Sequence, residues 1–201
     1  VTILDENFFK NSNELFLGDL LSVNTTSANY FQNGGHGTSS AIQLRGLPKR
    51  YSTVYIDGVK MSDPSSVSGD YDFNHLLTSQ VSRVEILKGS QSSVYGSGAI
   101  GGTINITTKQ KNKNQKGDFF YNTGSHDTNN FSVSKFGGKE NTDYLFSFER
   151  FQTDGISQMS HNDEKDSYLN NSLLGKIESQ LNEFIEFEGI VRLRDTYLQY
   201  D

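Results

Sequence analysis

Apolar and polar residues alternate one by one over the second half of this chain. In Thr142–Glu149, Tyr144, Phe146 and Phe148 share one parity while Ser147 and Glu149 share the other. Leu169, Leu173, Ile177 and Leu181 oppose Asn170, Ser172, Lys176 and Glu178. Ile185, Phe187, Val191 and Leu193 oppose Glu186, Glu188, Arg192 and Arg194. Successive side chains of a strand point to opposite faces, so each run predicts a strand with one apolar and one polar face. The last two runs exceed the mean globular strand of about 5–6 residues and approach the roughly 9–11 that cross a bilayer.

The connections predicted between these strands alternate in length. Strands near 117–125 and 129–137 turn at Ser125–Thr128, and a short turn follows at Gly137–Asn141. Asp154–Asp166 is long and polar, and Leu181–Glu183 is tight again. Short turns on one side and long loops on the other fit an outer-membrane β-barrel. Five strands do not close such a barrel, so the chain reads as a fragment cut at Asp201.

The first 110 residues have a different rhythm, with short elements and frequent turns. Val1–Leu4 reads as a strand tail, and Asp5 as an N-cap. Phe8, Phe9, Leu15, Leu17, Leu20 and Leu21 supply the apolar positions of one or two short helices. Ala41–Gly46 is a short alternating strand. Thr53–Met61 reads as two strands turned at Asp57-Gly58, a strong hairpin dipeptide. Lys109–Lys116 is a basic, Asn-rich connector between the two regimes.

Arg83–Lys109 is the most structured stretch of the sequence. Val84 and Ile86 against Arg83 and Glu85 predict a strand, and Thr103–Thr108 predicts another. Five glycines lie between Gly89 and Gly102, which calls for tight backbone approach or positive φ. Gly96-Ser-Gly-Ala-Ile-Gly101 has the spacing of a dinucleotide fingerprint. Thr103, Ile104 and Ile106 beyond it are β-branched and favour a strand over a helix, so the context for nucleotide binding is wrong.

The run Arg83-Val84-Glu85, Lys88-Gly89, Tyr95-Gly96, Ala99, Gly101-Gly102, Ile104-Asn105-Ile106 resembles the end of the plug domain of TonB-dependent outer-membrane receptors. Further pieces occur in the family's order: the Gln32–Ser40 loop, the Arg45-Gly46 strand end, Ile56-Asp57-Gly58-Val59, and Ser82-Arg83-Val84-Glu85. Loops Gln32–Ser40 and Asp63–Asp70 look most like the cobalamin-transporter branch. The resemblance implies an α+β plug domain over residues 1–110. The first antiparallel transmembrane β-barrel strands would follow over 111–201, with the barrel incomplete. It also implies outer-membrane localisation, contact with outer-membrane lipid, and coupling to the TonB complex through a segment that precedes Val1.

Composition narrows the alternatives. Only 33% of residues are apolar and 12% aromatic, normal for strands with one polar face. The chain has no cysteine, so disulfides and thiolate metal sites are excluded. A net charge of −6 argues against a nucleic-acid partner. The four histidines are scattered without metal or catalytic spacing, and no GxSxG elbow occurs, so the chain does not read as an enzyme.

Candidate functional residues fall in three groups. Gln32, Asn33, His36, Thr38, Ser39 and Ser40, with Ser66, Val67 and Ser68, are small or hydrogen-bonding residues in two loops. On residues alone these are ordinary turns. The resemblance makes them outward loops contacting a large small-molecule ligand such as cobalamin. Arg45, Arg83, Glu85 and Lys88 read either as charges on a wet sheet face or, by resemblance, as partners of acids on the barrel wall. Asp163, Glu164 and Asp166 lie in an oxygen-rich loop, 154–166, that is either simply solvated or, by resemblance, a calcium site. The function implied is TonB-dependent uptake of a scarce large nutrient, cobalamin first. A ferric-siderophore or haem receptor of the same architecture is the alternative. A soluble β-rich binding or adhesion protein is the rival from a different class.

Overall fold

In the computed structural model, which describes residues 1–66, 69–110, 116–157 and 165–199, the chain divides into two units. Residues 1–34 and 38–109 form the first, and 35–37 with 110–201 the second.

The first unit is a mixed sheet backed by helices. β1 (Thr2–Leu4) leads into α1 (Glu6–Lys10), capped by Asp5, whose side chain accepts from Phe8 N at 2.9 Å. α2 (Leu17–Asn24) buries Leu17, Leu20 and Leu21 completely. β2 (Ala28–Gln32) and β3 (Ser40–Leu44) form a separate antiparallel pair. β4 (Ser52–Ile56) and β5 (Val59–Met61) form the hairpin expected at Asp57-Gly58, with φ of 49° and 76° at the two turn residues. Positive φ at both positions matches the right-handed strand twist.

β6 (Val81–Lys88), the one-turn helix α3 (Ser92–Tyr95) and β7 (Gly102–Thr108) complete the unit, giving the strand order β1-β6-β7-β4-β5. Among the described residues only the β4–β7 pair is parallel. Val54, Ile56, Val84, Ile86, Ile104 and Ile106 join the α2 leucines in one core. The glycine corner takes the geometry its composition calls for, with φ of 93°, 85° and 150° at Gly89, Gly96 and Gly102. The helix α3 within that corner is not foreseen from the sequence.

The second unit is an antiparallel meander in the order β12-β11-β10-β9-β8. β8 spans Gly117–Thr123, β9 Asn129–Lys139, β10 Thr142–Thr153, β11 Tyr168–Asn182 and β12 Ile185–Leu198. Two turn positions differ from those expected. The β9–β10 connection is only Glu140–Asn141, because the ladder continues to Lys139↔Thr142. The β11–β12 turn lies at Glu183–Phe184, since a register shift between Gln180 and Asn182 lengthens β11.

Burial in this unit is inverted relative to a water-soluble sheet. Phe119↔Val133↔Phe148↔Leu173↔Leu193 is one cross-strand row over all five strands. Phe119 and Leu193 in that row are 67% and 62% exposed. On the opposite face Ser132, Ser134, Ser147, Glu149, Asn170, Ser172 and Lys176 are buried. These polar groups share their face with the buried Phe136, Leu145 and Leu174, and large apolar side chains exposed opposite buried charged and polar ones are the informative reversal of the usual rule. The apolar rows are bounded on one side by Arg150↔Asn171↔Asp195. Towards the β9–β10 turn the Tyr144 ring fills the space a side chain at Gly137 would need.

Candidate functional site

The loop between β2 and β3 is closed at its base by Asn33 N donating to the Ser39 carbonyl at 3.1 Å. Asn33 and Ser39 are exposed, and Thr38 is half-buried with its methyl group against Gly34. Gln32 accepts from Tyr30 Oη at 3.1 Å. Burial pushes the Tyr30 phenol up to about 12.

Ser40 is 3% exposed and is tied into the fold. Its hydroxyl donates to Asp72 Oδ1 and accepts from Phe73 N at 3.2 Å. Its backbone N–H also reaches the Asp72 carboxylate, at 3.1 and 3.2 Å. Expected as a ligand contact, Ser40 instead fixes the start of β3. Asp72, absent from the residues singled out in the sequence, is the fixing residue. The available signal was Asp72-x-Asn74, an Asx turn in which Asn74 N donates to Asp72 Oδ1 at 3.2 Å.

In the second loop Ser66 Oγ donates to Asp70 Oδ1 at 2.7 Å. Val67 and Ser68 lie outside the described residues.

His36 belongs with the second unit. Its ring meets Phe151 edge-on at 5.5 Å between centroids and Tyr168 at 6.4 Å. The Tyr168 ring also covers Gly37, whose φ is 85°. Desolvation by these neighbours lowers the His36 pKa below its ordinary 6.5, although one edge of the residue stays exposed. A lowered folded-state pKa favours neutral imidazole. The packing is therefore at full strength above pH 6.5 and is lost as pH falls through the depressed value. In the full-length protein, NMR titration should find His36 protonating below the pH of a free imidazole; a midpoint at or above it refutes this packing.

The charged set does not act as one cluster. Arg83 and Glu85 share a face of β6 and bind each other, with Nη2 at 2.6 Å and Nε at 2.7 Å from Glu85 Oε1. The acid bound to Arg83 among the described residues is thus on its own strand. Both are partly exposed, so the pair contributes little to stability. Arg45 adopts a left-handed backbone, φ 57°, and lays its guanidinium against Gly89. Lys88 is exposed at the end of β6.

In the 154–166 loop Asp154 pairs with Lys165. The Lys165 hydrogen bond holds the Asp154 carboxyl below the usual range, and Asp154 raises the Lys165 ammonium in return. Asp166 is 5% exposed, with its carbonyl packed on Gly155. Asp163 and Glu164 lie outside the described residues. Among the described residues no three His, Cys, Asp or Glu side chains converge as a metal site.

Comparison with known proteins is consistent across three measures. The family described as TonB-dependent Receptor Plug Domain matches residues 1–103. The vitamin B12 transporter BtuB of Vibrio cholerae is 28% identical over 182 residues, covering 88% of this chain and 29% of the relative. That of Vibrio vulnificus is 27% identical over 161 residues, covering 78% and 26%. The chain therefore spans under a third of the curated relatives it matches. Among solved structures, the ferric yersiniabactin uptake receptor FyuA of Yersinia pestis superposes with a TM-score of 0.77 at 20% identity, covering 97% of this chain and 31% of that one. FpvA of Pseudomonas aeruginosa, bound to a pyoverdine, gives 0.78 at 18% identity, covering 97% and 25%.

Proposed function

The chain belongs to the TonB-dependent receptor plug domain family, and from that membership we propose that it is part of an outer-membrane receptor that imports cobalamin by coupling to TonB. The carrying observation for membrane residence is the inverted sheet, whose apolar row crosses five strands, exposed at Phe119, Val133 and Leu193 and half-buried at Phe148 and Leu173, opposite buried Ser134, Ser147, Glu149 and Lys176. Such a face is stable in lipid and costly in water.

Cobalamin is favoured over an iron chelate by two observations. The vitamin B12 transporters share 27–28% of residues over most of this chain, while the siderophore receptors resemble it in fold, at 18–20% identity. The exposed loop residues Asn33 and Ser39 are small and uncharged. Gly34 and Gly35 in the same loop carry no side chain that would keep a bulky ligand from backbone amides.

The test is equilibrium binding of cyanocobalamin, and of a panel of ferric siderophores, to the purified full-length protein. Ser39→Trp should block cobalamin binding by bulk, while Ser39→Ala should cost only about 1 kcal/mol. Tight binding of a siderophore with no cobalamin binding by the folded parent refutes the substrate and leaves the receptor fold standing.

A further inference from the structure

The two small-residue loops are joined at their feet by one cation. Lys49, on the turn after Pro48, places Nζ 2.7 Å from Asp70 Oδ2 and donates to the Ser40 carbonyl at 3.3 Å. The Asp70 side chain is 1% exposed and that of Lys49 33%. Asp70 also accepts from Ser66, and Ser40 is bound to Asp72. Ser40 starts β3 opposite Gln32, so anchoring Ser40 anchors the base of the first loop. Three separate segments, at Ser40, Lys49 and Asp70, therefore meet at one ammonium group.

We propose that Lys49 is a positioning residue for ligand capture, holding the feet of both loops in one arrangement before ligand arrives. Pre-ordering removes a cost that binding would otherwise have to meet. Because Asp70 neutralises it, Lys49 provides this order without presenting a cation to the ligand, which suits a ligand bound through neutral hydrogen bonds. The identity of that ligand rests on the uptake reading above; the cross-link does not.

Removing Lys49 alone would strand a buried carboxylate and confuse loop order with stability. The informative variant is therefore Lys49→Met combined with Asp70→Asn, in which no charge is left unpaired. In the full-length protein, spin labels attached at Asn33→Cys and Ser62→Cys report the distance between the loops without ligand. The pair variant should keep the parental unfolding midpoint, broaden that distance distribution and, in unlabelled protein with native Asn33 and Ser62, release cyanocobalamin about tenfold faster. Lys49→Arg, which keeps the charge, should restore the narrow distribution and most of the residence time. An unchanged distribution in the pair variant overturns the proposal, as does a broadened one with parental release of bound cobalamin. If the parent binds no cobalamin, the uptake reading fails while the distance measurement still decides the cross-link.

Discussion

Leu173→Arg in the full-length receptor is expected to destabilise the folded protein by about 3 kcal/mol, whereas Asn171→Arg should cost less than about 1 kcal/mol. The two positions are neighbours on the same face of β11. Leu173 is flanked by Phe148 and Leu193, in the row that runs Phe119, Val133, Phe148, Leu173, Leu193. Asn171 is flanked by Arg150 and Asp195, and Arg150 Nη1 donates to its side chain at 3.4 Å. In a bilayer, a charge at the apolar row is removed from water, while one at the polar row reaches the headgroups. Denaturant unfolding in lipid vesicles measures both. Equal, small penalties would put this face in water and refute the barrel assignment.

The second large effect belongs to the glycine corner. Gly102→Val should destabilise the β6–β7 ladder by about 3 kcal/mol or more, the combined cost of strained φ and overpacking. Gly102 has φ 150°, and a Cβ there would collide with the Leu87 carbonyl oxygen and press on Leu44. Gly58→Ala is the comparator. Gly58 is also left-handed, φ 76°, but nothing lies within 4 Å of a Cβ there. Its cost should be about 1 kcal/mol, that of the backbone conformation alone. Hydrogen exchange at Val84, Ile86, Ile104 and Ile106 separates the two; similar protection in both variants would show that close approach at Gly102 is not limiting.

Much of the fold was legible because its signals are local. Asp5 caps α1, Asp57-Gly58 turns β4 into β5, and the parity of Leu169, Leu173 and Ile177 against Asn170, Ser172 and Lys176 matches the observed faces of β11. What stayed hidden depends on partners distant in sequence. Ser40 reads as a small loop hydroxyl until Asp72, 32 residues on, is seen to hold it. Lys49 and Asp70 carry no mutual signal, and the parallel β4–β7 pairing leaves none in either strand. Arg83–Glu85 was the opposite case. Two charges at i and i+2 on one strand already share a face and needed no distant partner.

The order of strands in the plug sheet has a consequence for how the chain acquires its structure. β7 sits at the centre of that sheet and is the last of its strands along the sequence. It joins residues 50 positions apart, as in the Thr53–Thr103 hydroxyl contact. Until Gly102–Thr108 takes its place, β1 with β6 and β4 with β5 are two separate pairs with open hydrogen-bonding edges. Closing so long a loop into a parallel ladder is slow compared with forming a local hairpin. A chain being synthesised or passed between compartments therefore remains adhesive along both unfinished sheets until residue 108 is available. A chaperone acting on the nascent chain has the most to protect in that interval.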